Sequence, residues 1–221
     1  MSFAAEQKNY SERVVRTLIK ETPKGTLTIR SNLPPGSFEG LEMDDGLGRF
    51  AHYSSIIRNV ETFETISRRE GGRVTLALME PKLIIAYGIC SYPDTEERWS
   101  ALGHVMYEMA AVEVSRNFRG LHVGRCVMDL SMDDDLFEDK IAYMQGLSWH
   151  WDLDGKGLTA PQYRLMMMHL YGLYGFREVY TNEPNLTLRP ENVMMIRIGS
   201  RVSEEHQKEF RYLRFGIKQP K

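Results

Sequence analysis

The stretch Tyr107–Asp129, YEMAAVEVSRNFRGLHVGRCVMD, constrains this chain most, because its hydrophobic period changes part-way along. Tyr107 to Ser115 is a short apolar run with β-branched valines and two glutamates, the pattern of a buried strand. From Val123 the apolar positions Val123, Val127 and Leu130 recur at helical spacing, and between the halves lies an arginine-rich turn, Arg116 to His122, carrying Gly120. A strand, a basic glycine turn and a helix in that order make an anion cradle. The first amides of a helix have no intrahelical partner, and the helix dipole favours negative charge there.

Spacing separates the phosphate-binding loops that use this device. A P-loop needs G-x-x-x-x-G-K-[ST]; Gly120 to Gly124 is one residue too short, and Arg125-Cys126 stands where Lys-Ser/Thr is required. A dinucleotide fingerprint needs G-x-G-x-x-G, and His122 takes the place of its second glycine. The remaining pattern, Arg119-Gly120-Leu121-His122-Val123-Gly124, resembles the [Q/R]-x-x-[G/A]-x-[G/A] pyrophosphate loop of the GNAT superfamily of N-acetyltransferases, with His122 where a small residue is usual. Leu170-Tyr171-Gly172-Leu173-Tyr174-Gly175-Phe176 resembles the L-Y-x-x-x-G-F ending of a later helix in the same superfamily.

The rest of the chain gives a compatible order. Its 221 residues suit a single domain: 26–221 as the domain, with 1–25 as an N-terminal extension. A helix is expected at Ser11–Lys20, a strand at Thr26–Arg30, and a helix from Ala51 to about Glu70 stopped by Gly71-Gly72. A hairpin of Arg73–Met79 and Leu83–Ser91 follows; Tyr92–His104 is expected to be loop. After the cradle helix come a strand at Lys140–Trp149, a loop through Gly155, a helix at Pro161–Tyr174, strands at Phe176–Thr181 and Asn192–Gly199, and a C-terminal helix from Ser203. That order is α+β, a mixed central β-sheet flanked by helices, and it is also that of the GNAT fold. Net charge is −2, from 28 Lys and Arg against 30 Asp and Glu, so nothing electrostatic points to nucleic acid. Without a long apolar run or signal-peptide pattern, a cytoplasmic protein free of the membrane is expected. The two cysteines, Cys90 and Cys126, lack redox or metal spacing, and Asp133-Asp134-Asp135 fits a solvated helix end better than a metal site.

A narrower resemblance runs from about residue 26 to 215. Ser91-Tyr92-Pro93-Asp94 with Glu97-Arg98-Trp99, the strand Glu108–Ser115, Trp149-His150-Trp151-Asp152, Glu183-Pro184, Arg197-Ile198-Gly199 and Leu213-Arg214-Phe215 are similar to the acetoin-utilization protein acetyltransferases of bacilli. The resemblance implies transfer of acetyl from acetyl-CoA to a lysine of a protein partner, an AMP-forming acetyl-CoA synthetase, which is thereby inactivated.

Such chemistry needs a base, since holding a lysine neutral at pH 7 costs about 4.6 kcal/mol against its reference pKa. Glu108, Glu113 and Asp152 are the candidates, with Glu113 preferred. Strand parity puts Glu108 and Glu113 on opposite faces unless a bulge resets it. Each glutamate could equally be a strand-end residue paired with Arg116 or Arg98. The resemblance assigns the pyrophosphate to the amides of Leu121, His122, Val123, Gly124 and Arg125, with the Arg119 and Arg125 side chains beside it, thioester polarisation to an amide near Val114, and protonation of the departing thiolate to Tyr171. Attack is direct, in a ternary complex. Trp149, His150, Trp151 and Asp152 either form a platform at the acceptor mouth or pack structurally. A small-molecule amine acetyltransferase and a non-catalytic acetyl-CoA sensor stand as alternatives.

Overall fold

Alternating half-buried and exposed residues carry the first hairpin, β1 (Arg16–Thr22) with β2 (Gly25–Ser31), paired antiparallel through a tight turn at Pro23-Lys24. The expected helix at Ser11–Lys20 is therefore a strand from Arg16 onward. Leu18, Lys20 and Thr22 turn inward at period two, and Gly25 at φ +117° lets the chain reverse before a helix can propagate. The computed structural model describes residues 14–48, 57, 59–79 and 81–217. The start of that expected helix, and most of Ala51–Asn59, lie outside them.

The remaining elements are β3 (Glu42–Met43), α1 (Val60–Arg68), β4 (Arg73–Met79), β5 (Leu83–Ser91), β6 (Met106–Val114), α2 (Val123–Met132), β7 (Ile141–Gly146), α3 (Leu153–Lys156), α4 (Ala160–Gly172), β8 (Arg177–Val179), α5 (Pro184–Thr187), β9 (Val193–Ile198) and α6 (Glu204–Leu213). The segment before β6, expected to be loop, holds a 3-10 stretch at Arg98–Val105. The loop after β7 is likewise partly ordered, as a 3-10 turn at Ser148–His150 followed by α3. The Asn59 side chain accepts from the Thr62 amide to start α1; α4 opens with a Thr159/Gln162 capping box and Pro161.

One mixed sheet runs in the order β1-β2-β4-β5-β6-β7-β9-β8, with β3 beside β5. Its ladders are antiparallel except β6 with β7 and β3 with β5. Phe63 and Ile66 of α1 pack on Val74, Leu76, Tyr87 and Ile89 on one face, where Phe210 of α6 also lies, against Trp99 at 6.2 Å. The other face carries α2, through Val123 and Val127, and α4, through Tyr171. No helix among the described residues is long and apolar enough to cross a membrane.

Two irregularities prepare the site. Cys90 of β5 pairs with Met109 of β6 while Ile89 pairs with Ala111, so Ala110 is the extra residue of a β-bulge. And β7 pairs with β6 only at Met106–Glu108, after which the two strands diverge.

Candidate active site

The divergence of β6 from β7 opens the sheet from within. Ser115 donates its amide to the Ile85 carbonyl at 2.8 Å, which fixes the alternation along β6: residues 111, 113 and 115 bond toward β5, while the amides of Val112 and Val114 point away from it. Among the described residues no strand is paired to that edge beyond Glu108, so these amides face a cavity of about 690 Å³ lined by both strands, α4 and the cradle turn. Val114, expected to offer an oxyanion-type donor, turns its main chain toward this cavity.

The cradle closes one end of this cavity. Arg119, Gly120, His122, Val123, Gly124 and Arg125 line it, whereas the Leu121 side chain turns into the core beside α2 and leaves only its main chain for binding. Gly120 has φ +81° and His122 φ +58°, so the turn passes twice through the left-handed region. That conformation favours glycine at 122. Histidine is among the few side chains that enter the region at modest cost. His122 makes no side-chain cap, leaving the first amides of α2 unengaged by it. A Cβ on Gly124 would lie 3.3 Å from Val114 Cγ2, so glycine keeps the helix start close to β6.

Arg119 and Asp152 form the anchor under the turn. Asp152 is buried, and its carboxylate accepts from Arg116 Nε at 2.8 Å, Arg116 Nη2 at 2.5 Å, Arg119 Nη2 at 2.5 Å and the Gly155 amide at 3.1 Å. Burial pushes its pKa up, but the bonds from both arginines and from Gly155 outweigh it and hold the carboxyl below its ordinary value. Asp152 is thus committed to structure and is not a free base. Arg119 Nη1 is buried with no hydrogen-bond partner among the described residues. A buried guanidinium nitrogen left open on a cavity wall, beside helix-start amides, fits a phosphate group. The residues present therefore fit the diphosphate of acetyl-CoA.

The bulge settles the parity of the two glutamates. Glu113 stands opposite Tyr87 and Glu108 opposite Ser91, four residues apart on β5, so both side chains lie on the α1 face. They do not share one cavity. Glu113 lines the large one and accepts from the Tyr87 hydroxyl and, at 2.6 Å, from the Gly48 amide. Glu108 lines a smaller well of about 170 Å³ with Ser91, Tyr92, Asp94, Glu97 and Arg69. Ala110 and Ala111 wall both, so the cavities meet back to back at the bulge. Burial, reinforced by the charge of Glu97 and opposed by a hydrogen bond from Gln145, pushes the Glu108 carboxyl up to about 8.

No protein-family model matches the chain. It is 32% identical over 197 residues to the acetoin utilization protein AcuA of Bacillus subtilis, covering 88% of this chain and 91% of that protein, and equally so to AcuA of Bacillus licheniformis. The crystal structure of an acetoin utilization protein from Exiguobacterium sibiricum superposes with a TM-score of 0.84 at 29% identity, over 92% of this chain and 95% of that one. The chain belongs to the AcuA family. It is an N-acetyltransferase of the GNAT fold with acetyl-CoA as acyl donor, as the cradle and the sequence resemblance imply.

Within this AcuA-family site, Tyr171 is buried at the cavity wall, edge-on to Phe176 at 5.4 Å, and burial holds its hydroxyl well above the ordinary tyrosine range. It stays protonated and can donate. Tyr174, in the same motif, is used elsewhere: its hydroxyl bonds Asp129 at 2.6 Å and the Arg125 carbonyl at 3.1 Å, tying α4 to α2.

The tryptophan loop does not build an exposed platform. Trp151 is buried, stacked on Tyr163 at 5.2 Å, and with His150 lines the large cavity on the cradle side; Trp149 lies outside the cavity lining under Arg189. The physical reason is Asp152, whose ion pairs with Arg116 and Arg119 pull the loop down onto the turn. Burial lowers the pKa of His150.

Sequence reasoning missed Glu97 in the well, Tyr143 hydrogen-bonded to it, and Lys156 on the cavity wall. Glu97 comes from the segment expected to be plain loop, and Tyr143 reaches Glu108 only through the β6–β7 rung. No local pattern marks either residue.

Proposed function

We propose that this acetyltransferase acts in the cytoplasm on a lysine side chain of a protein, and that the protein is an AMP-forming acetyl-CoA synthetase, which acetylation inactivates. One observation carries the lysine reading: the acyl-donor cavity and the Glu108 well meet at the Ala110–Ala111 bulge from opposite sides. The well, at about 170 Å³, is smaller than the roughly 300–1,000 Å³ usual for whole small-molecule ligands, and it suits the end of an aminoalkyl side chain whose backbone stays outside. The synthetase as partner is supported by the family resemblance drawn from the sequence.

Acetyl-CoA supplies an activated acyl thioester. The cradle amides, with Arg119 and Arg125, hold its diphosphate, and the Val112 and Val114 amides orient the acyl arm and polarise the carbonyl. Glu108, whose carboxyl burial pushes up to about 8, takes in its ionised form one proton from the incoming lysine ammonium as its nitrogen forms the bond to the acyl carbon. The carbon–sulfur bond breaks, and Tyr171 delivers a proton to sulfur, recovering one from the nitrogen through solvent. The products are the amide, the free thiol and one proton held by Glu108. Glu113, held by Tyr87 and Gly48, orients the loop before residue 49 against the cavity.

The test is incubation with labelled acetyl-CoA and a purified AMP-forming acetyl-CoA synthetase, followed by peptide mapping and a synthetase assay. Label on one lysine with matching loss of synthetase activity is the expected result. Label confined to added free polyamines would replace this reading with a small-molecule acetyltransferase.

A further inference from the structure

The Glu108 well is built from residues of four separate elements. Glu108 comes from β6, Ser91 and Tyr92 from the end of β5 and just past it, Asp94 and Glu97 from the segment before the 3-10 stretch, and Arg69 from the end of α1. Tyr143 and Gln145 of β7 complete the surroundings of Glu108 on the side of the shared rung. Glu97 is held in place at both oxygens. Its Oε1 accepts the Asp94 amide at 3.3 Å, and its Oε2 accepts the Tyr143 hydroxyl at 3.4 Å. The carboxylates do not converge tightly enough to form a metal site among the described residues.

Two half-buried acids lining a narrow well repel each other when both are ionised. A primary ammonium is the group that relieves this, being a compact cation with three donors that reaches the well on a slim chain. We propose that Glu97 is a positioning residue that receives the acceptor's ammonium group and thereby makes Glu108 competent as its base. This rests on the reading of Glu108 as the base and deepens it.

Before the amine arrives, burial and, next to it, the Glu97 charge keep the Glu108 proton in place. When the ammonium binds between them, it cancels the opposition of Glu97, and Glu108 releases its proton to solvent. A carboxylate then stands ready beside the same ammonium. Capture of a cation and activation of the base are one event, which biases the site toward charged amines over neutral nucleophiles such as water. Arg69 and Tyr92 also line the well.

The experiment is a pH titration of the side-chain carboxyl carbon of Glu108 by NMR on full-length protein with labelled glutamate, the signal assigned through Glu108→Gln. The wild type is expected to titrate near 8. Glu97→Gln should move the midpoint down by about one pH unit, and Glu97→Asp should restore part of the shift. Adding n-butylammonium, a lysine side-chain analogue, should lower the wild-type midpoint and leave that of Glu97→Gln nearly unchanged. A midpoint that neither Glu97→Gln nor n-butylammonium moves overturns the inference. The base assignment fails separately: if Glu108→Gln transfers acetyl at the wild-type rate, Glu108 is not the base, whatever the titration shows.

Discussion

Glu108 of β6 stands opposite Tyr143 of β7 on the last rung these parallel strands share. Up to that rung the sheet is closed; beyond it the Val112 and Val114 amides face the donor cavity. The base candidate therefore sits at the apex of the opening, where donor and acceptor must meet. Glu108→Gln keeps the shape and removes the proton acceptor, so kcat/KM for acetyl transfer is expected to fall by roughly 10²–10³-fold. Affinity for acetyl-CoA, measured by calorimetry, should stay within about twofold. Equal loss of binding and turnover would mean that the residue supports the cavity and does not act in the reaction.

Gly124 tests the cradle independently of the chemistry. A Cβ there already meets Val114 Cγ2 at 3.3 Å, and the two further methyls of valine have to enter the cavity or push α2 from β6. Gly124→Val is expected to weaken acetyl-CoA binding by at least about tenfold, or 1.4 kcal/mol. Far-ultraviolet circular dichroism should remain that of the wild type. Unaltered calorimetric affinity would remove the helix start from the binding site.

How far the sequence discloses this architecture depends on the range of the interaction responsible. The hairpin Arg73–Met79 and Leu83–Ser91 is legible to the residue because its alternation and turn are local. The cradle is equally local, and the departure at 122 falls where the backbone takes a left-handed φ. β1 is misread because Val14, Val15, Leu18 and Ile19 satisfy a helical pattern too, and only pairing with β2 decides between the two. Parity alone separates Glu108 from Glu113, and the bulge that reunites them is a property of two strands together. The tryptophan loop stays open between platform and packing in the sequence for a related reason: its position follows from Asp152 binding Arg116 and Arg119, a long-range pair that no spacing rule exposes.

His122 gives a graded test of the turn. At φ +58° its backbone suits glycine, is tolerated by histidine and is strained for a β-branched side chain. His122→Gly should fold and bind acetyl-CoA like the wild type. His122→Val should lose about 1–3 kcal/mol of stability in urea unfolding. Similar midpoints for the valine and glycine variants would show that the turn relaxes freely.

Asp152→Ala removes a buried carboxylate and leaves Arg116 and Arg119 facing each other without their shared partner. Breaking such a pair from one side costs about 3–5 kcal/mol, so Tm should fall by on the order of 10 °C. Acid should act on the same anchor. The folded-state pKa of Asp152 lies below its ordinary value, so its contribution is present above the ordinary value and lost as pH falls through the folded one. The gap in Tm between wild type and variant should accordingly narrow in acid. A gap that persists undiminished at the lowest pH would assign the loss to packing.

Glu108 has the opposite linkage. Its carboxyl titrates near 8 in the folded protein and near its ordinary 4.5 when unfolded, so between these values the folded state holds the extra proton. The stability associated with the neutral form is complete below about 4.5 and is lost as pH rises through about 8. Glutamine is neutral throughout, so Glu108→Gln should melt close to the wild type at pH 5 and above it at pH 9. Each kcal/mol of difference corresponds to about 2–4 °C for a domain of this size. A constant offset across that range would show that the well does not hold this carboxyl neutral, and the coupling between Glu97 and Glu108 would lose its physical basis.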